Sequence, residues 1–456
     1  MNRRNFLKAG GMALAVPGVV PHVAAEAPAK AGALHEPGRD VPVAAEADVV
    51  VCGAGPAGVA AAIAAARKGA KTLLLEQHGC LGGIWTSGLL CWLLDYTSKK
   101  GLMAEIIAEM TGRGARTFSP EGVATNGFDI ETMKLVLEEL CEQAGVEMWL
   151  HTRVASAATR GGRVTHAVTE SKSGREAVAG KVFIDATGDG DFGALAGCGF
   201  DLGDAESGAM QPMSLIALVA GISPSEIRAF HRDYTLRPSL HKANLLKEMT
   251  AAGHPPSYSG PSLFHLWDDL FILMANHEYG VSGIDTRQVT RATLNARKEL
   301  SAMIGALRGT GGVWKNLRLV ATAEQVGVRE ARRLHGRYTV VADDLREGRR
   351  FDDAVCRVSF GIDIHSTDPV RSKSVKELPW KAKPYDIPLR ALIAKDVEGL
   401  LMAGRCISGD FFAHSSYRVT GNAVVLGEAA GRAAAAAALS GRLPSEVPFA
   451  EVFPLS

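Results

Sequence analysis

A glycine-rich turn followed by an acidic residue is the strongest chemical signal in the sequence. The segment GAGPAG (residues 53–58) lies between an apolar run and an alanine-rich run, and Glu76 ends the next apolar run. In a strand–turn–helix–strand unit, the first glycine permits a sharp turn, the second lets the backbone approach a pyrophosphate, and the third lets the helix pack on the strand. The helix N-terminus attracts the phosphates. The residues expected to bind a dinucleotide here are Gly53, Gly55, Pro56, Ala57, Gly58 and Glu76.

Apolar periodicity predicts the elements that would position this turn. Strands are expected at 47–52, 71–75, 146–150 and 397–403, and helices at 59–68, 102–111, 129–144 and 420–439. Two more strands, around 161–172 and 177–182, indicate a hairpin-type excursion from the sheet. Residues 200 to about 360 lack this alternation of strands and helices. We interpret them as an inserted region that covers the substrate.

Composition excludes several classes of protein. The chain has 456 residues, of which 47% are hydrophobic and 22% charged, and its formal net charge is +1. No long basic run is present, so nucleic acid is not expected as a partner. The seven cysteines show no CxxC or zinc spacing, so neither a metal site nor a dithiol redox pair is predicted. A disulfide cannot be deduced from the sequence, and no transmembrane helix is expected.

The N-terminus has the pattern of an export signal. The segment NRRNFLK (residues 2–8) resembles a twin-arginine signal, and a short apolar stretch and small residues suited to cleavage follow it. We therefore expect a signal peptide at 1–27, a linker at 28–45 and a periplasmic location. Twin-arginine export carries folded proteins, which suits a chain that acquires its cofactor in the cytoplasm.

Five segments together resemble the FAD-dependent oxidoreductases that share a glutathione-reductase-like or succinate-dehydrogenase-like FAD domain. They are VVVCGAGPAGVAAA, LLLEQHGCLGG, FIDATGDGD, VREARRLHGRY and LLMAGRCISGDFFAHSSYRVTGNAVVLGEAAG, within residues 46–200 and 315–440. The resemblance implies non-covalent FAD, because the family's segment with a flavin-linked histidine is absent. It also implies that a second strand-to-helix junction near the C-terminus completes the site. The further cofactor contacts it implies are Gly82, Gly83, Thr187, Gly188, Asp189, Gly404, Arg405, Gly421 and Asn422.

A segment before the last helix suggests a substrate site. His414 to Asn422 resembles the H-G-x-x-R-x-x-x-N segment of fumarate reductase and succinate dehydrogenase flavoproteins. There the histidine and arginine hold a substrate carboxylate, which a guanidinium grips bidentately. The resemblance therefore implies that His414 and Arg418 bind the substrate. In the alternative, Arg418 binds FAD or an internal carboxylate and His414 caps a turn.

Proton transfer has several candidates. They are His414, Tyr417 and the segment from Arg329 to His335. That segment also contains Arg332 and Arg333. It is interpreted either as a basic face that contacts anions or as a solvated helix face.

These signals predict an α/β fold with a Rossmann-like FAD-binding domain, made of a parallel sheet with helices and a β-excursion, and an inserted α+β substrate or cap domain. The domains expected are FAD-binding at 46–200, substrate at 201–315, a return to the FAD domain at 316–440 and a tail at 441–456. The predicted function is hydride transfer between FAD and a small organic substrate, with a carboxylate as the candidate. A quinone, a carrier protein or O₂ would accept the electrons, because a second nucleotide motif is absent from the sequence. The alternatives are an O₂-using oxidase and a flavin-containing electron-relay or binding protein without turnover.

Overall fold

A computed structural model describes residues 34, 36–119, 122–231 and 238–453. The predicted signal at 1–27 lies outside these residues. The strands are β1 (Val43–Cys52), β2 (Thr72–Leu75), β3 (Arg116–Phe118), β4 (Ala124–Phe128), β5 (Glu147–Trp149), β6 (Arg153–Arg160), β7 (Arg163–Ser171), β8 (Gly174–Asp185), β9 (Phe200–Asp201), β10 (Ala217–Ala220), β11 (Ser262–Trp267), β12 (Leu270–Met274), β13 (Arg318–Thr322), β14 (Arg333–Leu334), β15 (Ala354–Val358), β16 (Tyr385–Pro388) and β17 (Leu400–Met402). The α-helices are α1 (Pro56–Arg67), α2 (Leu102–Gly112), α3 (Ile130–Ala144), α4 (Asp191–Leu195), α5 (Pro238–Ala251), α6 (Thr286–Gly309), α7 (Ala342–Glu347), α8 (Phe411–Tyr417), α9 (Thr420–Ser440) and α10 (Phe449–Val452).

The main sheet holds the glycine-rich turn at the end of its central strand. Its order is β5-β2-β1-β8-β7-β6, and β17 pairs with the carboxyl end of β8. The pairs β5–β2, β2–β1, β1–β8 and β8–β17 are parallel, whereas β6–β7 and β7–β8 are antiparallel. The last four residues of β1, Val49 to Cys52, are buried and apolar, as a covered parallel strand requires. The α/β fold and the hairpin excursion predicted from the sequence are therefore confirmed.

Helices α1 and α9 pack in direct backbone contact. A Cβ added at Gly427 would lie 2.0 Å from the Ala57 carbonyl oxygen, and one at Gly431 would lie 2.1 Å from that of Ala61. Glycines four residues apart therefore allow the two helices to touch. Within the described part of the chain, α9 is the one helix long and apolar enough to span a membrane, but 67% of its most apolar window is buried in the protein.

A second sheet covers one side of the main sheet's carboxyl edge. Its order is β11-β12-β10-β13 and its strands are antiparallel. Alternate residues point to opposite faces of a strand. On one face, Phe271 and Leu273 pack in the core that also contains Leu300 of α6, whereas Ile272 packs in the core of the main sheet. Strand β13 joins this sheet although it follows the predicted boundary at residue 315.

The structure contradicts one of the two interpretations of the basic segment from Arg329 to His335, which lies within residues 324–338. This segment contains the short strand β14 and no helix, and Arg333 is buried. The solvated helix face is therefore wrong. The helices expected at 102–111, 129–144 and 420–439 are confirmed, each shifted by one residue at most. For α3 the local reason is clear, because the Asp129 side chain accepts a hydrogen bond from the Thr132 N–H and caps the helix.

Candidate active site

One cavity of about 500 Å³ runs from the glycine-rich turn to the second sheet. Gly55 and Thr187 line it at the main sheet's carboxyl edge, Met274 of β12 lines it from the second sheet, and Arg418 lines it at the start of the last long helix. Ligands of open α/β sheets bind at this edge. The cavity is therefore the candidate site for both the cofactor and the substrate.

The glycine-rich turn has the geometry that the motif predicts. Gly53 has a φ of +97°, which favours glycine. A Cβ added at Gly58 would lie 1.8 Å from the Gly53 carbonyl oxygen, whereas one at Gly55 would meet nothing within 4 Å. Gly55, Pro56 and Gly53 line the cavity, as does Ala57. Gly58 thus allows α1 to pack on the turn, and Gly55 leaves an open backbone surface at the N-terminus of α1.

Glu76 faces the cavity from the end of β2. One carboxylate oxygen accepts a hydrogen bond from the Ala54 N–H at 2.6 Å, and the other accepts one from the His78 N–H at 2.8 Å. These contacts fix the carboxylate, and each oxygen keeps a further lone pair for a ribose hydroxyl. Of the two glycines that follow, Gly83 lines the cavity. Gly82 instead donates its N–H to the Ala54 carbonyl oxygen at 2.8 Å.

The end of β8 is organised by a buried carboxylate. Asp185 accepts hydrogen bonds from the Thr187 N–H at 2.9 Å, from the Thr187 hydroxyl at 2.7 Å and from the Gly193 N–H at 2.7 Å. Burial raises the pKa of Asp185 to about 6. This network turns the chain so that Thr187 and Gly188 line the cavity.

Arg405 and Asp189, both predicted to contact the cofactor, form an ion pair at the edge of the cavity. Arg405 lines the cavity with Gly404, and its Nη2 donates to Asp189 Oδ1 at 2.6 Å. Asp189 does not line the cavity itself. Asp189, which was predicted to contact the cofactor, therefore positions the guanidinium of Arg405, and that guanidinium faces the cavity.

The first turn of α9 differs from the predicted contacts. Thr420 and Ala423 line the cavity, but Gly421 and Asn422 do not. The Gly421 N–H donates to the Leu94 carbonyl oxygen at 3.0 Å, and a Cβ at Gly421 would lie 2.5 Å from that oxygen. The Asn422 side chain accepts from the Cys356 thiol. Gly421 and Asn422 thus pack α9 against neighbouring segments. The residues that line the cavity are the ones on either side, Thr420 and Ala423.

Two guanidiniums face the cavity at its far end. Arg418 donates to the Asp363 carbonyl oxygen at 2.6 Å and to the Arg329 carbonyl oxygen at 3.2 Å. Nη1 of Arg329 donates to the Pro212 carbonyl oxygen at 2.7 Å and to the Ser214 hydroxyl at 2.8 Å. Burial and the nearby charge of Arg418 lower the pKa of Arg329 to about 10, so both groups are cationic near pH 7. Of the basic segment named from the sequence, Arg329 is the residue that lines the cavity.

The other basic residues of that segment have partners of their own. Arg332 pairs with Asp191 at 2.8 Å, Arg333 pairs with the buried Glu330, and His335 lies 3.5 Å from Asp201. Within this segment, the anion-contact interpretation therefore stays a prediction for Arg329.

An Asp–His pair lies beside the two arginines. Asp363 Oδ2 is 3.6 Å from Nη2 of Arg418 and 3.2 Å from Nε2 of His365. The His365 ring also packs against Tyr258 and His277, with ring centroids 5.5 Å and 4.8 Å away. Asp363, His365 and Tyr258 line the cavity.

His414 and Tyr417 lie away from this end of the cavity. Both side chains are buried in α8 and neither lines the cavity. The Tyr417 hydroxyl donates to the Ile407 carbonyl oxygen at 2.8 Å, and burial lowers the pKa of His414. Of the three residues predicted from this segment, Arg418 alone reaches the cavity, because a helix of seven residues buries the other two in the core.

Sequence reasoning missed Tyr258, Asp363 and His365. Asp363 and His365 lie in a loop between β15 and β16, and Tyr258 lies in a loop before β11. None belongs to a motif with a defined spacing. The one local signal is the short Asp-Ile-His run at 363–365, which the chain folds against Arg418.

The fold and the glycine-rich turn are those of an α/β protein that binds a dinucleotide at the carboxyl edge of a parallel sheet. Residues 48–453 match the model of the FAD dependent oxidoreductase family. The chain belongs to this family, and it is an FAD-dependent oxidoreductase whose cofactor is FAD. The open backbone at Gly55 and the fixed carboxylate of Glu76 fit the pyrophosphate and ribose of that cofactor.

Solved structures match the chain at low similarity. A geranylgeranyl bacteriochlorophyll reductase-like protein from Thermoplasma acidophilum is 14% identical, with 87% of this chain and 80% of that chain covered and a TM-score of 0.44. The flavin-dependent brominase Bmp2 is 13% identical, with 90% and 82% covered and a TM-score of 0.46. The p-nitrophenol 4-monooxygenase PnpA from Pseudomonas putida DLL-E4 is 12% identical, with 90% and 83% covered and a TM-score of 0.44. No curated protein matches the sequence significantly.

Proposed function

We propose that this FAD-dependent oxidoreductase exchanges hydride between its flavin and a small substrate that carries a carboxylate. Arg329 and Arg418 would hold the carboxylate at the far end of the cavity. The observation that carries this proposal is the pair of partly buried guanidiniums, Arg329 and Arg418, that line one cavity.

The local charges favour an anionic ligand. Among the described residues, Asp363 is the carboxylate whose charge acts on both guanidiniums, and it balances a single positive charge. The neighbouring Arg333 is neutralised by Glu330. A buried charge without a partner is strongly unfavourable. A bound monoanion would therefore leave this end of the cavity neutral.

The two arginines have different tasks. Arg418 uses two of its donors on main-chain carbonyl oxygens at 363 and 329, so it also holds the two chain segments together. Nη1 of Arg329 is anchored by Pro212 and Ser214, which leaves Nε and Nη2 for a ligand. A guanidinium binds a carboxylate through two parallel hydrogen bonds. We therefore assign the main carboxylate contact to Arg329 and a supporting contact to Arg418.

The chain contributes binding, orientation and shielding from water. When bound, the flavin supplies the centre that accepts or gives the hydride. Ile216, Phe264 and Met274 form an apolar wall of the cavity between the cofactor residues and the arginines. A substrate anchored by its carboxylate at one end would present its reacting carbon along this wall.

A spectral titration of the FAD-bound protein tests the proposal. Acetate and benzoate are added, with acetamide and benzamide as uncharged controls, and the visible absorption of the flavin is recorded. We expect saturable changes with the acids that the amides do not produce. If acids and amides behave alike at equal concentration, the carboxylate site is refuted.

Export by the twin-arginine route remains a proposal based on residues 2–8. In the periplasm the electron acceptor would be a quinone, a carrier protein or O₂. Cell fractionation with and without replacement of both Arg3 and Arg4 by Lys tests the location. Loss of the periplasmic protein in the variant is expected, and an unchanged distribution would contradict the export route.

A further inference from the structure

The Asp363–His365 pair leaves one imidazole nitrogen with a lone pair. Burial opposes ionisation of Asp363, but the hydrogen bond from His365 and the charges of Arg418 and Arg329 lower its pKa below the usual range. The ionised carboxylate can only accept hydrogen bonds, so Nε2 of His365 carries the hydrogen. Burial and the charge of Arg329 lower the pKa of His365 to about 4. The imidazole is therefore neutral near pH 7, and Nδ1 holds the lone pair.

This lone pair has no partner within the described residues. Nδ1 of His365 is buried, and none of those residues donates to it. The neighbouring rings of Tyr258 and His277 make ring contacts with the imidazole. Buried acceptors in proteins nearly always have a donor. An unpaired acceptor on a residue that lines the cavity indicates that a bound molecule supplies the donor.

We propose that His365 accepts the hydroxyl proton of a 2-hydroxy acid whose carboxylate is bound by Arg329 and Arg418. This inference rests on the function proposed above. The C2–H bond breaks and its electron pair passes as hydride to the oxidised flavin, which is reduced by two electrons. The O–H bond breaks and its proton passes to Nδ1, while the C2–O bond becomes a carbonyl. The product is a 2-oxo acid.

The charges favour a hydroxyl group over an amine next to the carboxylate. Arg329, Arg418 and ionised Asp363 together carry one net positive charge before substrate binds. A hydroxy acid brings the total to zero. A zwitterionic amino acid would leave an ammonium close to two guanidiniums, which is unfavourable at low dielectric.

Asp363 acts as a positioning residue for His365. Its carboxylate fixes the Nε2–H tautomer at 3.2 Å and would stabilise the imidazolium that forms after proton transfer. The main-chain N–H of His365 is fixed as well, because it donates to Gln211 Oε1 at 3.0 Å. The base is therefore held on both sides before substrate enters.

Matched pairs of acids test the inference with the FAD-bound protein. The pairs are D- or L-lactate with propionate, and D- or L-mandelate with phenylacetate. We expect one hydroxy acid to bind about tenfold more tightly than its partner, the effect of one hydrogen bond worth about 1.4 kcal/mol, and to bleach the flavin without oxygen. Equal affinities within every pair would overturn the hydroxyl assignment alone. If none of these acids perturbs the flavin, the carboxylate site itself fails.

Two substitutions separate binding from proton transfer. His365→Asn keeps an acceptor near the position of Nδ1 but cannot take up the proton. We expect it to keep the preference for the hydroxy acid and to slow flavin bleaching at least about 100-fold. His365→Leu should lose both the preference and the bleaching. His335→Asn, at a half-exposed site that does not line the cavity, serves as the control. Bleaching by His365→Asn at the wild-type rate, with FAD content unchanged, would refute the role of the base.

Discussion

Replacing Arg329 by glutamine should weaken carboxylate binding more than any other single change at the far end of the cavity. Arg329 is partly buried, and Nη1 is anchored at 2.7 Å and 2.8 Å by Pro212 and Ser214, so the group is oriented before the ligand arrives. Glutamine is shorter and neutral, so it cannot form the charged pair with the carboxylate. The anchoring oxygens would also be left without their donor.

The size of the effect follows from the hydrogen bonds that the substitution removes. A hydrogen bond to a charged group contributes about 1.5–3 kcal/mol, and a bidentate pair contains two. If the glutamine amide retains part of one, binding weakens by about 3 kcal/mol, which is about a 100-fold increase in Kd. Because the site is buried, salt should change this ratio little.

The assay is the flavin absorption titration with acetate on the FAD-bound protein. Arg337→Gln is the matched control, because Arg337 is a half-exposed arginine paired with Glu398 at 2.8 Å and does not line the cavity. Its Kd should stay within about twofold of the wild type, as expected for a surface ion pair. An acetate Kd that is equal in Arg329→Gln and Arg337→Gln, with FAD content unchanged, would refute the assignment of Arg329.

Three further predictions concern the cofactor turn, the buried histidine and the flavin linkage. Gly58→Ala should abolish FAD retention after gel filtration, because its Cβ would lie 1.8 Å from the Gly53 carbonyl oxygen. The control is Gly441→Ala, which would strain a helix end far from the cofactor turn. A similar loss of FAD in the control would argue against a local cause. Since the pKa of His365 is lowered from 6.5 to about 4, the unfolded state binds more protons between these values. The free energy of unfolding of the wild type, measured with urea and compared with that of His365→Asn, should therefore fall by about 2 kcal/mol between pH 7.5 and pH 5. A difference between the two proteins that does not change with pH would contradict the neutral imidazole. FAD should appear wholly in the supernatant after acid precipitation, whereas a yellow pellet would indicate a covalent flavin.

The cofactor half of the site could be predicted from the sequence because its signals are local. The turn at 53–58 combines glycines that need positive φ or close approach with an adjacent helix, so spacing alone fixes the geometry. The same holds for the Asp129 cap of α3. The contacts at the start of α9 were displaced by one residue, because Gly421 is required for packing against Leu94 and Asp95. That requirement depends on a distant segment.

The substrate half depends on loops that only the folded chain brings together. Asp363 and Tyr258 are about a hundred residues apart in the sequence, and neither belongs to a motif. His414 illustrates the opposite error, since its spacing to Arg418 suggests a shared role. In the structure α8 buries the imidazole in the core while Arg418 reaches the cavity. Spacing in a short helix does not determine which side chains face a ligand when the core covers most of the helix.

A crystal structure of the FAD-bound protein soaked with pyruvate, the 2-oxo acid that corresponds to lactate, would show directly where the carboxylate binds. We expect the pyruvate carboxylate within hydrogen-bond distance of Arg329 and Arg418 and its 2-oxo oxygen directed toward His365. A carboxylate bound elsewhere, or an isoalloxazine ring that fills the cavity up to both guanidiniums, would contradict the proposed substrate site.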